Sequence, residues 1–326
     1  MTYTKIVLYK SSIAYFIDKQ FAASTTRRHN KLDKMPLSSI IECMHNEKLD
    51  LRHKDILVPR LKQANAGLSE YTFANLYLFR QNHDYEIITD RDIFIKGKSY
   101  DGHLYLMPTV DVRSLDREYL KELMKTVDFL FPIPEAWLPF FGHDEFEVEF
   151  KDGDQDYVYT VEKMRTYKGR NLHKKRNLLK QFLDLYQHDA LPLTNDRLDQ
   201  ARFILKDWQE TSAMNAADTD FAPCLEALDR YDELVLCGGI YYADNEPAGF
   251  VLGEEVNNET FVLHFAKARV KFKGVYQYMF NNFAKILPPQ YKFLNLEQDL
   301  DKENLRVFKS SYVPDLLLRK ARVKLK

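Results

Sequence analysis

Residues 146–203 run without a gap against residues 251–308 at an offset of 105 positions, and this internal repeat limits the possible folds more than any other feature. The coinciding pairs include Lys168 with Lys273, Gly169 with Gly274, Asn177 with Asn282, Tyr186 with Tyr291 and Phe203 with Phe308. Identities are few, so the weight rests on pattern. In both stretches a strand, a polar turn (Asp152-Gly153 or Asn257-Asn258) and a second strand lead into a Lys-Gly step, a helix, a short strand and another helix. A repeated unit of about 60 residues predicts two related domains in tandem. The length of 326 residues agrees, because single cores stop growing near ~250–300 residues.

The expected division is an N-terminal extension over 1–48, locally basic and irregular in its apolar positions, a first domain over 49–195 and a second over 196–326. After Leu49 a helix runs to a turn at Gly67, followed by an aromatic-rich segment capped by Ser69. Strands follow in "YEIITD", "DIFIKG" and "HLYLMP". "SLDREYLKELMKTVDFLF" predicts one amphipathic helix with a Ser114 cap and Leu115, Tyr119, Leu123, Val127 and Leu130 on one face; "FPIPEAWLPFFG" then reads as a connector. In the second domain, "LVLCGGIYYADNEPAGFVLGEEV" predicts a hairpin over Asp244-Asn245, with Glu254 and Glu255 facing solvent near the next turn.

With 45% apolar and 29% charged residues, and a formal net charge of −1, the chain has no global field to gather polyanions. A local cluster would have to do so, and "YKGRNLHKKRNLLKQF" over 167–182 supplies one: six Lys or Arg, His173, and no carboxylate. Leu172, Leu179 and Phe182 define its apolar stripe, while Arg170 and Lys174 align with Asn177 on another face flanked by His173, Arg176 and Lys180. Two readings stand, a polyanion site and a solvated helix face. The matching helix "VYQYMFNNFAKIL" is nearly uncharged, so a basic face belongs to the first copy alone. Cys43, Cys224 and Cys237 are odd in number and lack metal-ligand spacing, which argues against a disulfide framework and a zinc site. A cytoplasmic protein is expected, since no apolar run approaches the ~18–20 residues of a membrane span.

A glycine directly before a helix lets backbone approach a ligand, and the free amides of the first turn attract anions. The Lys168-Gly169 and Lys273-Gly274 steps, with Lys271 nearby, therefore read as phosphate cradles or as tight turns into helices. Among acid–base candidates, Glu297 shares a strand face with Asn295 if 293–298 is extended, and Asp299 lies beyond its end. These carboxylates could instead pair with Arg306 and Lys309. His264 is a second base candidate, and Tyr312 a candidate acid.

Strand, Lys-Gly loop, helix, splayed strand and last helix resemble the acyl-CoA-binding half of the GCN5-related N-acetyltransferase (GNAT) superfamily. "LSEYTFANLYLF" (68–79), "KGRNLHKKRN" (168–177), "HFAKA" (264–268) and "LNLEQDLDKENLRVFKSSYVP" (294–314) resemble more closely the bacterial family of the phosphatidylglycerol lysyltransferase C-terminal domain, over about residues 49–326. The resemblance implies a mixed α/β (α+β) fold of two tandem GNAT-like domains, each a mostly antiparallel sheet flanked by helices. It implies acyl or aminoacyl transfer, with acyl-CoA or aminoacyl-tRNA as donor, no metal, and a small-molecule, peptide or lipid-headgroup acceptor presenting an amine or hydroxyl. On it, Glu297, His264 and Tyr312 are the catalytic candidates; Lys273, Gly274 and Lys271 meet donor phosphate; Lys168, Gly169, Arg170, Lys174 and Arg176 meet a polyanion such as tRNA. The sequence departs from the family pattern at Leu296, where arginine is expected, at Asp301, where glycine is expected, and at Phe308, where acetyltransferases place an acidic tyrosine. Acyl or aminoacyl transfer is the leading reading, and Leu296 and Phe308 point to the alternative of a non-catalytic nucleotide- or RNA-binding module.

Overall fold

The computed structural model describes residues 46–326. The extension expected over 1–48 lies outside the described residues except at its end, where Glu47–Lys48 form a strand. The described chain divides into two compact units. The first comprises residues 46–156 with Gln298–Arg306 and Leu317–Lys326, and the second comprises Tyr157–Glu297 with Val307–Leu316.

The sheet of the first unit has the order β1 (Glu47–Lys48), β2 (Glu86–Thr89), β3 (Ile93–Lys98), β4 (Leu104–Pro108), β5 (Phe129–Pro134), β14 (Lys320–Leu325), β6 (Phe146–Phe150). Helices α1 (Lys54–Ala64), α2 (Phe73–Leu78) and α3 (Arg117–Met124) accompany it. Among the described strands of this sheet only β4 and β5 pair in parallel, because α3 carries the chain across between them. In the second unit the order is β13 (Leu316–Leu318), β7 (Asp156–Thr160), β12 (Phe293–Asn295), β11 (Thr260–Ala268), β10 (Glu246–Asn257), β9 (Cys237–Ala243), β8 (His188–Pro192). Here β11 and β12 are the parallel pair, joined through α8 (Val275–Ile286). The remaining helices are α4 (Val161–Thr166), α5 (His173–Leu185), α6 (Leu198–Ser212), α7 (Phe221–Asp229) and α9 (Glu303–Ser310). Two mostly antiparallel sheets flanked by helices are the expected α+β class.

Counted from β1 and from β8, the two sheets share one plan: four antiparallel strands, a fifth parallel to the fourth, then a sixth and a seventh. The repeat of topology spans residues 47–160 and 188–325, and its sixth strands are exchanged. β14, from the second repeat, stands between β5 and β6, while β7, from the first, stands beside β12. This corrects the alignment at offset 105. β11 corresponds to β4 and α8 to α3, whereas α4 and α5 have no counterpart and link β7 to β8. The pattern of strand, loop and amphipathic helix recurs several times in such a fold, so a pattern match finds more than one register. Residues 157–195, assigned by sequence to the first domain, lie in the second unit.

Several local expectations change with this architecture. The helix expected from Ser114 to Leu130 is α3 alone, capped by Asp116, whose carboxylate accepts from the Tyr119 amide at 2.8 Å. Its buried face is Tyr119, Leu120 and Met124, and Leu130 belongs to β5. A buried parallel strand reads as a continuous apolar run, and this one merged with the helical pattern before it. "FPIPEAWLPFFG" accordingly contains the end of a fully buried strand and a 3-10 helix, Glu135–Phe140. Thr72, not Ser69, caps α2. The Asp244-Asn245 hairpin forms as expected, both residues left-handed (φ 51° and 64°) as a type I′ turn requires.

Candidate active site

Pairing between β11 and β12 ends at Val262 and Asn295. Two residues further along each chain stand His264 and Glu297, joined by a hydrogen bond of 2.7 Å between Nδ1 and Oε1. A bulge aims the imidazole: Leu252 of β10 faces Phe265 and Gly253 faces Leu263, which leaves His264 as the extra residue. Gly253 is required there, since a Cβ would lie 1.9 Å from the Val262 carbonyl oxygen. The other ring nitrogen, Nε2, is 3.1 Å from Oε1 of Glu254 on β10. Both nitrogens therefore donate to carboxylates, and the ring is an imidazolium. Burial alone would lower its pKa, but the Glu297 charge and hydrogen bonds to both carboxylates outweigh it and push His264 up to about 10.

Glu297 is not part of an extended strand. It follows β12 in the left-handed region at φ 59°. Among the contacts that hold that turn, its amide donates to Asn295 Oδ1 at 2.7 Å, and its carbonyl accepts from the Tyr157 amide and from Lys309 Nζ, each at 3.2 Å. Asp299 is fully buried and bound by Arg306 through Nε at 2.8 Å and Nη2 at 3.0 Å. Of the carboxylates in "NLEQD", Glu297 is thus the one directed at the histidine. Asp301, at the family's glycine position, has φ 58°, a conformation that glycine adopts without strain.

Tyr312 is fully buried, and its hydroxyl accepts from Gln277 Nε2 at 2.9 Å. Burial raises its pKa far above the ordinary phenol range, so it is a poor proton donor as it stands. Phe308 packs edge-on against it at 5.5 Å. Lys175 of α5 lies 3.8 Å above the Tyr312 ring and donates to Ser311 Oγ at 2.6 Å; burial lowers its pKa to about 8.

The two Lys-Gly steps are unlike. Gly274 has φ 84°, and a Cβ there would fall 2.2 Å from the Leu178 carbonyl oxygen of α5, so close packing of α5 on α8 demands this glycine. The Lys273 amide donates to the Tyr186 hydroxyl at 3.1 Å, and Lys271 pairs with Glu246 at 2.6 Å. Gly169 also has positive φ, 108°, yet a Cβ there would meet nothing within 4 Å. Lys168, Gly169, Arg170 and Lys174 are exposed around it. Arg176 turns back and donates to the carbonyls of Tyr167 at 2.5 Å and Gly169 at 2.6 Å, holding the loop.

Sequence reading did not join Glu254 to His264, nor mark Lys175 as a half-buried member of its basic cluster. Glu254 was expected in solvent with Glu255. Instead it flanks His264, and Glu255 accepts from the Tyr291 hydroxyl at 2.5 Å. The hairpin at Asn257-Asn258 already placed residue 254 near 262, but the bulge that turns His264 toward it leaves no mark in the sequence. Lys175 was hidden among exposed neighbours of the same charge.

Solved structures with this fold include a conserved protein of unknown function from Bacteroides thetaiotaomicron, 24% identical, with a TM-score of 0.73 over 86% of this chain and 99% of that one. Another is the C-terminal domain of a proposed lysylphosphatidylglycerol synthetase from Agrobacterium fabrum, 10% identical, with a TM-score of 0.55 over 82% and 92%. By sequence, an uncharacterized protein of Mycoplasmoides gallisepticum is 26% identical over 207 residues, 61% of this chain; the match spans 64% of that relative's length. Residues 61–321 match the family described as phosphatidylglycerol lysyltransferase, C-terminal. With four-fifths of its length inside that match, the chain belongs to the phosphatidylglycerol lysyltransferase C-terminal-domain family, one of acyl and aminoacyl transferases.

Proposed function

We propose that this protein transfers an aminoacyl group from aminoacyl-tRNA to an acceptor amine or hydroxyl, with Glu297 as the general base. The observation that carries the reading is a carboxylate fixed by an imidazolium at the point where two parallel strands part. In the reaction the acceptor's proton passes to Glu297, and the acceptor nitrogen or oxygen bonds to the acyl carbon. The ester bond to the terminal ribose oxygen of the tRNA then breaks, and that oxygen takes up the proton. His264 stays charged throughout, holding the carboxylate in place and offsetting its burial; Glu254 holds the imidazolium from the far side. His264 is therefore a positioning residue rather than the base, and Tyr312 is assigned no proton.

The preference for a tRNA donor over CoA rests on the two loops. α5 packs against Gly274, and the Lys273 amide is engaged, whereas Gly169 opens onto exposed cations suited to a phosphodiester backbone. Thermal stabilisation by aminoacyl-tRNA, CoA and acetyl-CoA tests it. Aminoacyl-tRNA should stabilise the wild type, a Lys168/Arg170/Lys174 triple alanine variant should lose most of that effect, and CoA should give none. Stabilisation by CoA that Gly274→Glu abolishes would transfer the donor reading to acyl-CoA. Where transfer is measured, Glu297→Gln should reduce its rate by ~10²–10⁴-fold.

A further inference from the structure

Ser69 and Glu70 of "LSEYTF" and Gln298 of "NLEQD" meet in the first unit around a lysine that neither motif contains. Lys320 of β14 is fully buried, and its Nζ lies 2.6 Å from Glu70 Oε1 and 2.6 Å from Asp156 Oδ1. It also donates to Gln298 Oε1 at 3.1 Å and lies 3.3 Å from Ser69 Oγ. The Ser69 amide and hydroxyl both donate to Asp156, at 3.0 Å and 2.9 Å. Asp156 is fully buried and Glu70 is 4% exposed, so two carboxylates share one ammonium away from water. With every group ionised the cluster carries a net negative charge, which a buried site resists.

Arg322, two residues along β14, is bound to Asp154 at 2.7 Å and 2.9 Å and to Asp101 at 2.7 Å. Among the described residues, the phenols of Tyr71, Tyr85 and Tyr105 also feel Glu70, all raised by burial and neutral. Gln298 contributes only an amide, and it is the residue that follows Glu297 in the chain.

We propose that this cluster is a proton-linked positioning device: gain or loss of one proton at Glu70 changes how Lys320 holds Gln298, and with it the turn that carries Glu297. The inference rests on reading Glu297 as the base. With Glu70 protonated, Lys320 serves Asp156 and Gln298, and the carboxylic acid is itself a donor. With Glu70 ionised, the ammonium is drawn between two carboxylates and that extra donor is gone. Burial pushes Glu70 up, the Lys320 charge draws it down and the Asp156 charge raises it again, leaving it at about 7, where ordinary changes of pH work the device.

The test is carbon NMR of glutamate carboxyls, with proton–nitrogen NMR of the His264 ring, on the full chain from about pH 5 to about pH 9. One carboxyl carbon should titrate with a midpoint near 7 in the wild type and be missing from Glu70→Gln. The His264 ring, whose own titration lies near 10, should shift at that lower midpoint in the wild type and stay still in the variant. Should Glu70→Gln not fold, Ser69→Ala removes a donor without removing a charge and should raise the midpoint. An unmoved His264 ring, or no carboxyl step near neutrality, overturns the proposal. Full activity in Glu297→Gln would instead overturn the base reading, so the two fail separately.

Discussion

His264 contributes to stability only as a cation. Its folded-state pKa is raised from 6.5 to about 10, so that contribution is complete below about 6.5 and is lost as pH rises through about 10. Replacing the ring leaves Glu254 and Glu297 facing each other with no charge between them. His264→Gln should therefore destabilise the protein by roughly 3–5 kcal/mol near neutral pH, as breaking a buried ion pair does. The deficit in urea unfolding should shrink on going from pH 7 toward pH 10. A constant deficit across that range would mean that the ring is neutral in the folded protein. Glu254→Gln removes one of the two carboxylates and should lower the His264 midpoint without abolishing it, which the ring nitrogen shifts would report.

At the scale of elements, the two glycines separate packing from backbone strain. Gly169→Ala adds a methyl group into open space and should cost about 1 kcal/mol for its positive φ alone. Gly274→Ala meets the same backbone penalty and also a carbonyl of α5 at 2.2 Å, so its cost in denaturant unfolding should be at least twice as large. Equal costs would show that α5 moves aside freely. This contrast marks how far the sequence could be read. The Lys-Gly steps, the apolar stripe of α5 and the Asp244-Asn245 hairpin were legible, because each is encoded by residues close in sequence. Glu297 and His264 were legible as candidates, but their union was not, since it depends on where two strands stop pairing and on a bulge one residue wide. The boundary of α3 was lost for a related reason: the buried strand after it extends the same apolar run.

Across the whole molecule, the exchanged sixth strands were the least legible feature, because β14 pairs with β5 and β6 across some 170–190 residues of chain, as in Lys320 with Pro134 and Lys324 with Glu147. Charge acts at this scale too. The chain is close to neutral, at −1, so polyanion binding should fall steeply with salt through the α5 face alone. Replacing Lys168, Arg170 and Lys174 by alanine should reduce the slope of log affinity against log salt by about 2–3. Removing residues 319–326 should unfold the first unit, for it deletes the strand between β5 and β6 and with it Lys320 and Arg322. Limited proteolysis should then cut within residues 46–156 while the β8–β11 hairpins resist. The same strand sets a timetable for synthesis. A ribosome releases residues 46–156 long before residue 325 is made, so the first unit must wait, open between β5 and β6, until the rest of the chain has followed it out.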